Sequence, residues 1–267
     1  MVSIVVLGDS LSVAGYGITD EADTWPFLLQ RDLGAGSDVK VCAQGGMLAS
    51  LTDQTVDGAY FGCSKHLGRA MNAKADAYLI CLGTNDAKQG TRGFTIDTVK
   101  DGLVWIVLQL RATSAAVFSC KPEFFFVPPP NLTGKQNALM EGRRQDLLPA
   151  ALSAAAAITG ANVLPMTKLS ANQKHRDGIH LNASGARAFA SSVVAGFREQ
   201  GGMNLRKRPA EDEADRFRVL KMPHLGLDLR KGKVYTRGTL VMKCAGAEEK
   251  LTELDAKLSD PDFFERC

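Results

Sequence analysis

No run of apolar residues in this chain reaches the ~18 needed to span a bilayer, so no stable membrane association is expected. The amino terminus also lacks a basic start, a long apolar stretch and a small-residue cleavage site, the three parts of a secretory leader. Residues 2–7 are apolar, but they run straight into Gly8-Asp9-Ser10. These absences predict a soluble, cytoplasmic protein. Six cysteines (Cys42, Cys63, Cys81, Cys120, Cys244 and Cys267) show no CxxC spacing and no clustering with other metal ligands. In a reducing compartment they are expected as free thiols rather than as disulfides or a metal site. Cys42 and Cys81 fall in strand-like runs, where cysteine behaves as a small hydrophobe. A strong charge of either sign is missing as well. The 32 basic and 29 acidic residues leave a formal net charge of +3, which a solvated surface explains without a nucleic-acid partner. There is no internal repeat. What is present is 267 residues, 45% hydrophobic and 23% charged, enough for one core of ordinary size plus an appendage.

Short apolar runs alternate with amphipathic ones through about residue 200. Strands are predicted at residues 2–7, 39–42, 77–82, 123–127 and 162–164, the fourth stopping at Pro128-Pro129-Pro130, which cannot continue a central strand. Helices are predicted at an amphipathic stretch around residues 25–33, around 67–73, at 98–112, where apolar residues recur at helical spacing, at the alanine-rich 147–158 and at 183–198. Five apolar strands separated by helices predict an α/β fold, a parallel sheet covered on both faces. Ligands of such sheets bind beyond the carboxyl ends of the strands. Residues with chemical potential should therefore follow the strands, and they do: Gly8-Asp9-Ser10 after the first, Gly45-Gly46 soon after the second, Gly83-Thr84-Asn85-Asp86 after the third.

Each cluster alone has a plain structural reading. A serine at a strand end can simply cap the next helix. Gly, Asn and Asp are ordinary turn residues. The pair Asp177-Gly178-Ile179-His180 can be a surface aspartate near a satisfied histidine. Together they suit nucleophilic catalysis. A serine hydroxyl needs a base within hydrogen-bond reach. An aspartate three residues before a histidine can fix its tautomer and stabilise the imidazolium. An asparagine amide and bare glycine N–H groups can donate to an oxyanion.

The four blocks, in this order and at these strand ends, closely resemble those of the GDSL or SGNH hydrolases. The likeness includes Trp25-Pro26, the proline turn after the fourth strand, and the run from Asp177 to Gly185 (DGIHLNASG). It covers roughly residues 1–200. It implies a three-layer, flavodoxin-like sandwich with a five-stranded parallel sheet, and a serine hydrolase of carboxylic esters. Carried over by motif position, it implies Ser10 as nucleophile, His180 as base and Asp177 as acid, with Ser10, Gly46 and Asn85 lining the oxyanion hole and no metal or organic cofactor. The second block departs from the family's usual run: Val41-Cys42-Ala43-Gln44-Gly45-Gly46 lacks its asparagine, so either Gly45 or Gly46 could be the donor. Asp9 and Thr84 are read as supports of the strand-end turns. His175, flanked by Lys174 and Arg176, is read as part of a solvated loop, and His66 and His224 have no partner pattern. No lid insertion is evident, which favours an open site and short acyl or O-acetyl esters as small-molecule substrates.

Two other functions fit parts of the chain. A catalytically silent relative could use the fold as a binding module, against which the intact Ser10, Asp177 and His180 speak. A basic tail could carry the main role, but it lacks the interleaved aromatics of a nucleic-acid surface. Residues 1–202 are thus expected to form the hydrolase domain and the charged residues 203–218 a linker. Residues 219–267 are expected to form an accessory element with a hairpin or strand at 233–243 and a helix at 248–258. Its Leu251, Leu254 and Leu258 would share one face, offered to the hydrolase, a second copy or a protein partner.

Overall fold

The computed structural model describes residues 1–50, 55–56, 59–60, 64–88, 95–118, 120–201, 227–228 and 233–234. Five strands build the central sheet: β1 (Val2–Gly8), β2 (Ser37–Ala43), β3 (Ala77–Cys81), β4 (Glu123–Phe126) and β5 (Asn162–Val163). Their order is β2-β1-β3-β4-β5, and every pairing is parallel. This is the flavodoxin-like order, whose topological switch lies beside the first strand. The helices are α1 (Trp25–Leu33), α2 (Ser64–Met71), α3 (Ile96–Phe118), α4 (Ala138–Thr159) and α5 (Ala183–Glu199).

Alternation along the strands divides the core into two layers. Ile4 and Val6 of β1, with Leu79 and Phe125, face Trp25, Leu29, Phe189 and Phe197 of α1 and α5. Val5 and Leu7, with Tyr78, Ile80 and Phe126, face the buried sides of α2, α3 and α4. Both faces of the sheet are dry, so the strands read as continuous apolar runs. Cys42 and Cys81 are buried free thiols within them. The architecture is the α/β sandwich that the alternation of runs predicts.

Three helices run beyond their predicted ranges. The amino-terminal half of α4 holds Glu141, Gly142, Arg143, Arg144 and Gln145, and Pro149 lies inside the helix. It therefore shows no apolar stripe. That half is held instead by Arg144, whose fully buried guanidinium makes two 2.7 Å bonds to Glu141 and one of 3.1 Å to the Pro129 carbonyl. Paired and hydrogen-bonded in this way, a charge can be kept inside the fold. α3 begins two residues before the predicted 98–112 and runs six beyond it, and α2 begins three residues early. α3 is also apolar on average, although no uninterrupted apolar run in it reaches ~18 residues. By length and composition it is the one described helix apolar enough to cross a bilayer, because sparse charges within a helix interrupt a run without lowering its mean hydropathy much. Its Val99, Leu103, Ile106, Val107 and Leu110 are buried in the core.

The chain divides into two compact units, Met1–Arg206 and Lys207–Cys267. In the second, Leu227–Asp228 pairs antiparallel with Lys233–Val234. The described part of the expected hairpin thus pairs Lys233 with a segment before it. The charged stretch 203–218, the rest of 233–243 and the expected helix at 248–258 lie outside the described residues.

Candidate active site

Parallel register sets the site. Gly8 at the end of β1 stands beside Ala43 of β2 and Cys81 of β3, so the chain leaves all three strands at one level. Ser10 opens a single 3-10 turn, Ser10–Ser12, capped by the Asp9 side chain, which accepts the Leu11 N–H at 2.9 Å. The Trp25 indole N–H donates to the Ser12 hydroxyl at 3.2 Å and packs edge-on against Phe189. The turn carrying Ser10 is thereby tied to α1 and α5.

The turn 175–180 is closed by its own backbone. The Gly178 N–H bonds the His175 carbonyl at 2.8 Å, and the His175 N–H bonds the His180 carbonyl at 2.9 Å. Gly178 has φ +71°, and a side chain there would also strike the Thr133 carbonyl, 2.0 Å from its Cβ position. Glycine is required on both counts. This left-handed step turns the N–H groups of Ile179 and His180 back onto Asp177 Oδ1, at 2.8 and 3.0 Å. The Asn137 amide fixes the far side by donating to the Asp177 and Thr133 carbonyls, each at 2.7 Å.

Across the site, His180 Nε2 lies 3.0 Å from Ser10 Oγ, and His180 Nδ1 lies 2.6 Å from Asp177 Oδ2. Partial burial opposes the Asp177 charge. The His180 ring and the two N–H groups on Oδ1 outweigh it and hold the carboxyl well below the usual carboxylate range. Asp177 therefore stays ionised at any physiological pH. Three residues separated by up to 170 positions thus form one chain of contacts. A hydroxyl bonded to an imidazole that is itself oriented by a carboxylate can be deprotonated as it attacks.

The two glycines differ. The Met47 N–H bonds the Gln44 carbonyl at 3.3 Å, closing a turn in which Gly46 takes φ +81°. Gly45 faces the nucleophile, and a Cβ on it would lie 3.8 Å from Ser10 Cβ. Asn85 stands beside the same turn, where its Nδ2 donates to the Met47 carbonyl at 3.0 Å and to Asp9 Oδ2 at 3.3 Å.

Several residues contribute more than their sequence context indicates. Asp86 is buried and accepts the N–H groups of Ala49 and Ser50 at 2.9 and 3.0 Å and the Ser50 hydroxyl at 2.7 Å, so it organises the loop after Gly46. Asp9 is wholly buried. Burial, with repulsion from Asp86, pushes its carboxyl up to about 7. His175 does not sit in a solvated loop. Its ring is mostly covered and packs against Gly17, and its Nδ1 lies 3.3 Å from Asp177 Oδ2, outside hydrogen-bond alignment. Lys174 is 95% covered and donates to the Ile179 carbonyl at 3.2 Å, and burial pulls its amine down to about 8. The side chain of His66 and all of His224 lie outside the described residues. No sequence motif marks Tyr16, yet its ring stacks on His180.

The profile of the GDSL-like Lipase/Acylhydrolase family matches residues 6–188, from β1 into α5. The chain belongs to that family. Membership makes it a carboxylic ester hydrolase. Its fold is shared with solved structures. One is an M. smegmatis aryl esterase in inhibitor-bound form, with TM-score 0.60 and 22% identity over 74% of this chain and 99% of the other. A carbohydrate acetylesterase from Sinorhizobium meliloti gives TM-score 0.61 and 20% identity over 75% and 100%. A lipase/acylhydrolase from Enterococcus faecalis gives 0.55 and 20% over 75% and 97%. None of the curated proteins matches the chain.

Proposed function

We propose that the protein hydrolyses small carboxylic esters through Ser10, His180 and Asp177, by way of an acyl-enzyme on Ser10. The observation that carries this reading is the continuous contact from Ser10 Oγ through His180 to Asp177, at 3.0 and 2.6 Å. His180 takes the Ser10 proton as Oγ attacks the carbonyl carbon, and returns it to the departing alcohol. Water, deprotonated by the same nitrogen, then attacks the acyl group and restores Ser10. Asp177 orients the ring and stabilises the imidazolium.

The N–H groups of Ser10 and Gly46 and the Asn85 amide hold the oxyanion. In the resting site Asn85 spends its two N–H bonds on Met47 and Asp9. The longer of them, to Asp9, is the one exchanged for the oxyanion. With no side chain on Gly45, the face toward Ser10 stays clear. Short acyl or O-acetyl esters are the substrates we propose. The aryl esterase and carbohydrate acetylesterase that share the fold make phenyl acetate and acetylated sugars the first to test. Replacing Ser10 by alanine tests the mechanism. Turnover of 4-nitrophenyl acetate should fall by at least about 10³-fold, as when a nucleophile is removed from other triads. A folded Ser10→Ala protein with more than about a tenth of the wild-type rate would reject it.

A further inference from the structure

The turn Gly15-Tyr16-Gly17-Ile18 carries a residue its backbone disfavours. The Gly15 N–H bonds the Ile18 carbonyl at 2.6 Å, and the Ile18 N–H bonds the Gly15 carbonyl at 3.1 Å. The φ angles of Gly15, Tyr16 and Gly17 are +129°, +51° and +112°. Among the described residues Tyr16 is the only non-glycine at positive φ. Asparagine or glycine suits such a position, whereas a bulky aromatic does not. Nor does the ring serve the core, since Tyr16 is 58% exposed.

What the ring does touch is His180. The two rings lie parallel within 4°, with centroids 3.7 Å apart. The contacts of His180 with Asp177 and Ser10 lie in the imidazole plane, at its two nitrogens. The stack adds a contact normal to that plane, which opposes tilting of the ring out of line with its two partners. The turn is itself braced. A Cβ on Gly17 would lie 2.9 Å from His175 Cδ2, so Gly17 rests on the His175 ring, and the His175 N–H bonds the His180 carbonyl. Turn and histidine loop thus meet twice, once through Gly17 on His175 and once through Tyr16 on His180. Strained backbone held by its surroundings gathers where function needs it.

We propose that Tyr16 is a positioning residue that holds the His180 imidazole in its reactive plane by stacking on its face. This rests on the reading of His180 as the base. The aromatic plane carries the effect and the hydroxyl does not.

The test compares Tyr16→Gly and Tyr16→Phe in the full chain. Glycine suits φ +51° and removes the ring, so the variant should melt within a few degrees of wild type. Its kcat on 4-nitrophenyl acetate should fall roughly ten- to a hundredfold, the scale at which small misplacements of reacting groups act. KM should change little, and kcat should fall alike for acetyl and butyryl esters. Tyr16→Phe should restore kcat. By proton NMR the His180 ring resonances should be shifted upfield by the stacked ring in wild type and Tyr16→Phe, and released in Tyr16→Gly. A loss confined to KM, or one that varies with acyl length, would make Tyr16 a substrate wall and overturn the proposal. So would an unchanged kcat, a kcat not rescued by phenylalanine, or a collapse in melting temperature. The NMR arm needs no activity, so a failure of the His180 mechanism would appear separately, as a stack that is present while His180→Ala leaves turnover intact.

Discussion

Replacing Asp9 by asparagine should remove the loss of stability that Asp9 contributes as the pH rises from acid to mildly alkaline. The Asp9 side chain has no exposed surface, and its carboxyl is pushed from the ordinary value near 3.8 up to about 7, chiefly by burial. The folded state therefore keeps a proton that the unfolded chain releases near pH 4. Below that pH both states are protonated and the full stability is present; it is lost as the pH climbs through about 7. A displacement of about 3 pH units corresponds to about 4 kcal/mol once both forms are ionised. Between pH 5 and pH 8.5 Asp9 alone should remove roughly 3 kcal/mol. Asparagine cannot ionise, and it keeps an oxygen for the Leu11 N–H. Its amide would meet Asn85 where a carboxyl oxygen now accepts, costing about 1 kcal/mol at every pH. Urea unfolding of both proteins at the two pH values measures this, and other titrating groups largely cancel in the comparison. Equal stability changes in wild type and Asp9→Asn would refute the claim that a buried, ionisable Asp9 underlies the site.

Asn85→Ala should lower kcat about 10²–10³-fold with little change in KM, since the oxyanion exists chiefly beyond the ground state; steady-state kinetics would show whether the loss is one of binding instead. Gly178→Ala should cost about 3 kcal/mol in a denaturation experiment, because it adds left-handed strain to a clash with the Thr133 carbonyl. A chain ending at Met203 should keep its turnover within a few-fold, as expected if residues 203–218 are a linker and 219–267 an accessory element; a folded but inactive protein would put part of the tail in the site.

The sheet was legible because both of its faces are covered, so each strand stands out as an apolar run between polar ones. The serine and histidine blocks were legible because the turns holding them are local. Ser10 follows β1 directly, and the left-handed glycine that folds Asp177 toward His180 stands between them. The first half of α4 was not legible, since a buried ion pair at Arg144 replaces the apolar stripe that periodicity detects. His175 read as solvated because its neighbours are basic, yet Lys174 turns inward to the Ile179 carbonyl. The weight carried by Asp9 and Asp86 depends on burial, which a short polar motif cannot reveal. Tyr16 meets His180 across 164 positions, and no spacing rule reports a stack between two loops.

Covalent labelling would show whether Ser10 is the nucleophile. The protein is treated with a small organophosphate, its intact mass is read, and the modified peptide is mapped. One adduct per chain is expected, on Ser10, together with complete loss of esterase activity and no adduct at all in His180→Ala over the same interval. Inactivation with the label on any other residue, or esterase activity that survives full labelling of Ser10, would contradict that role.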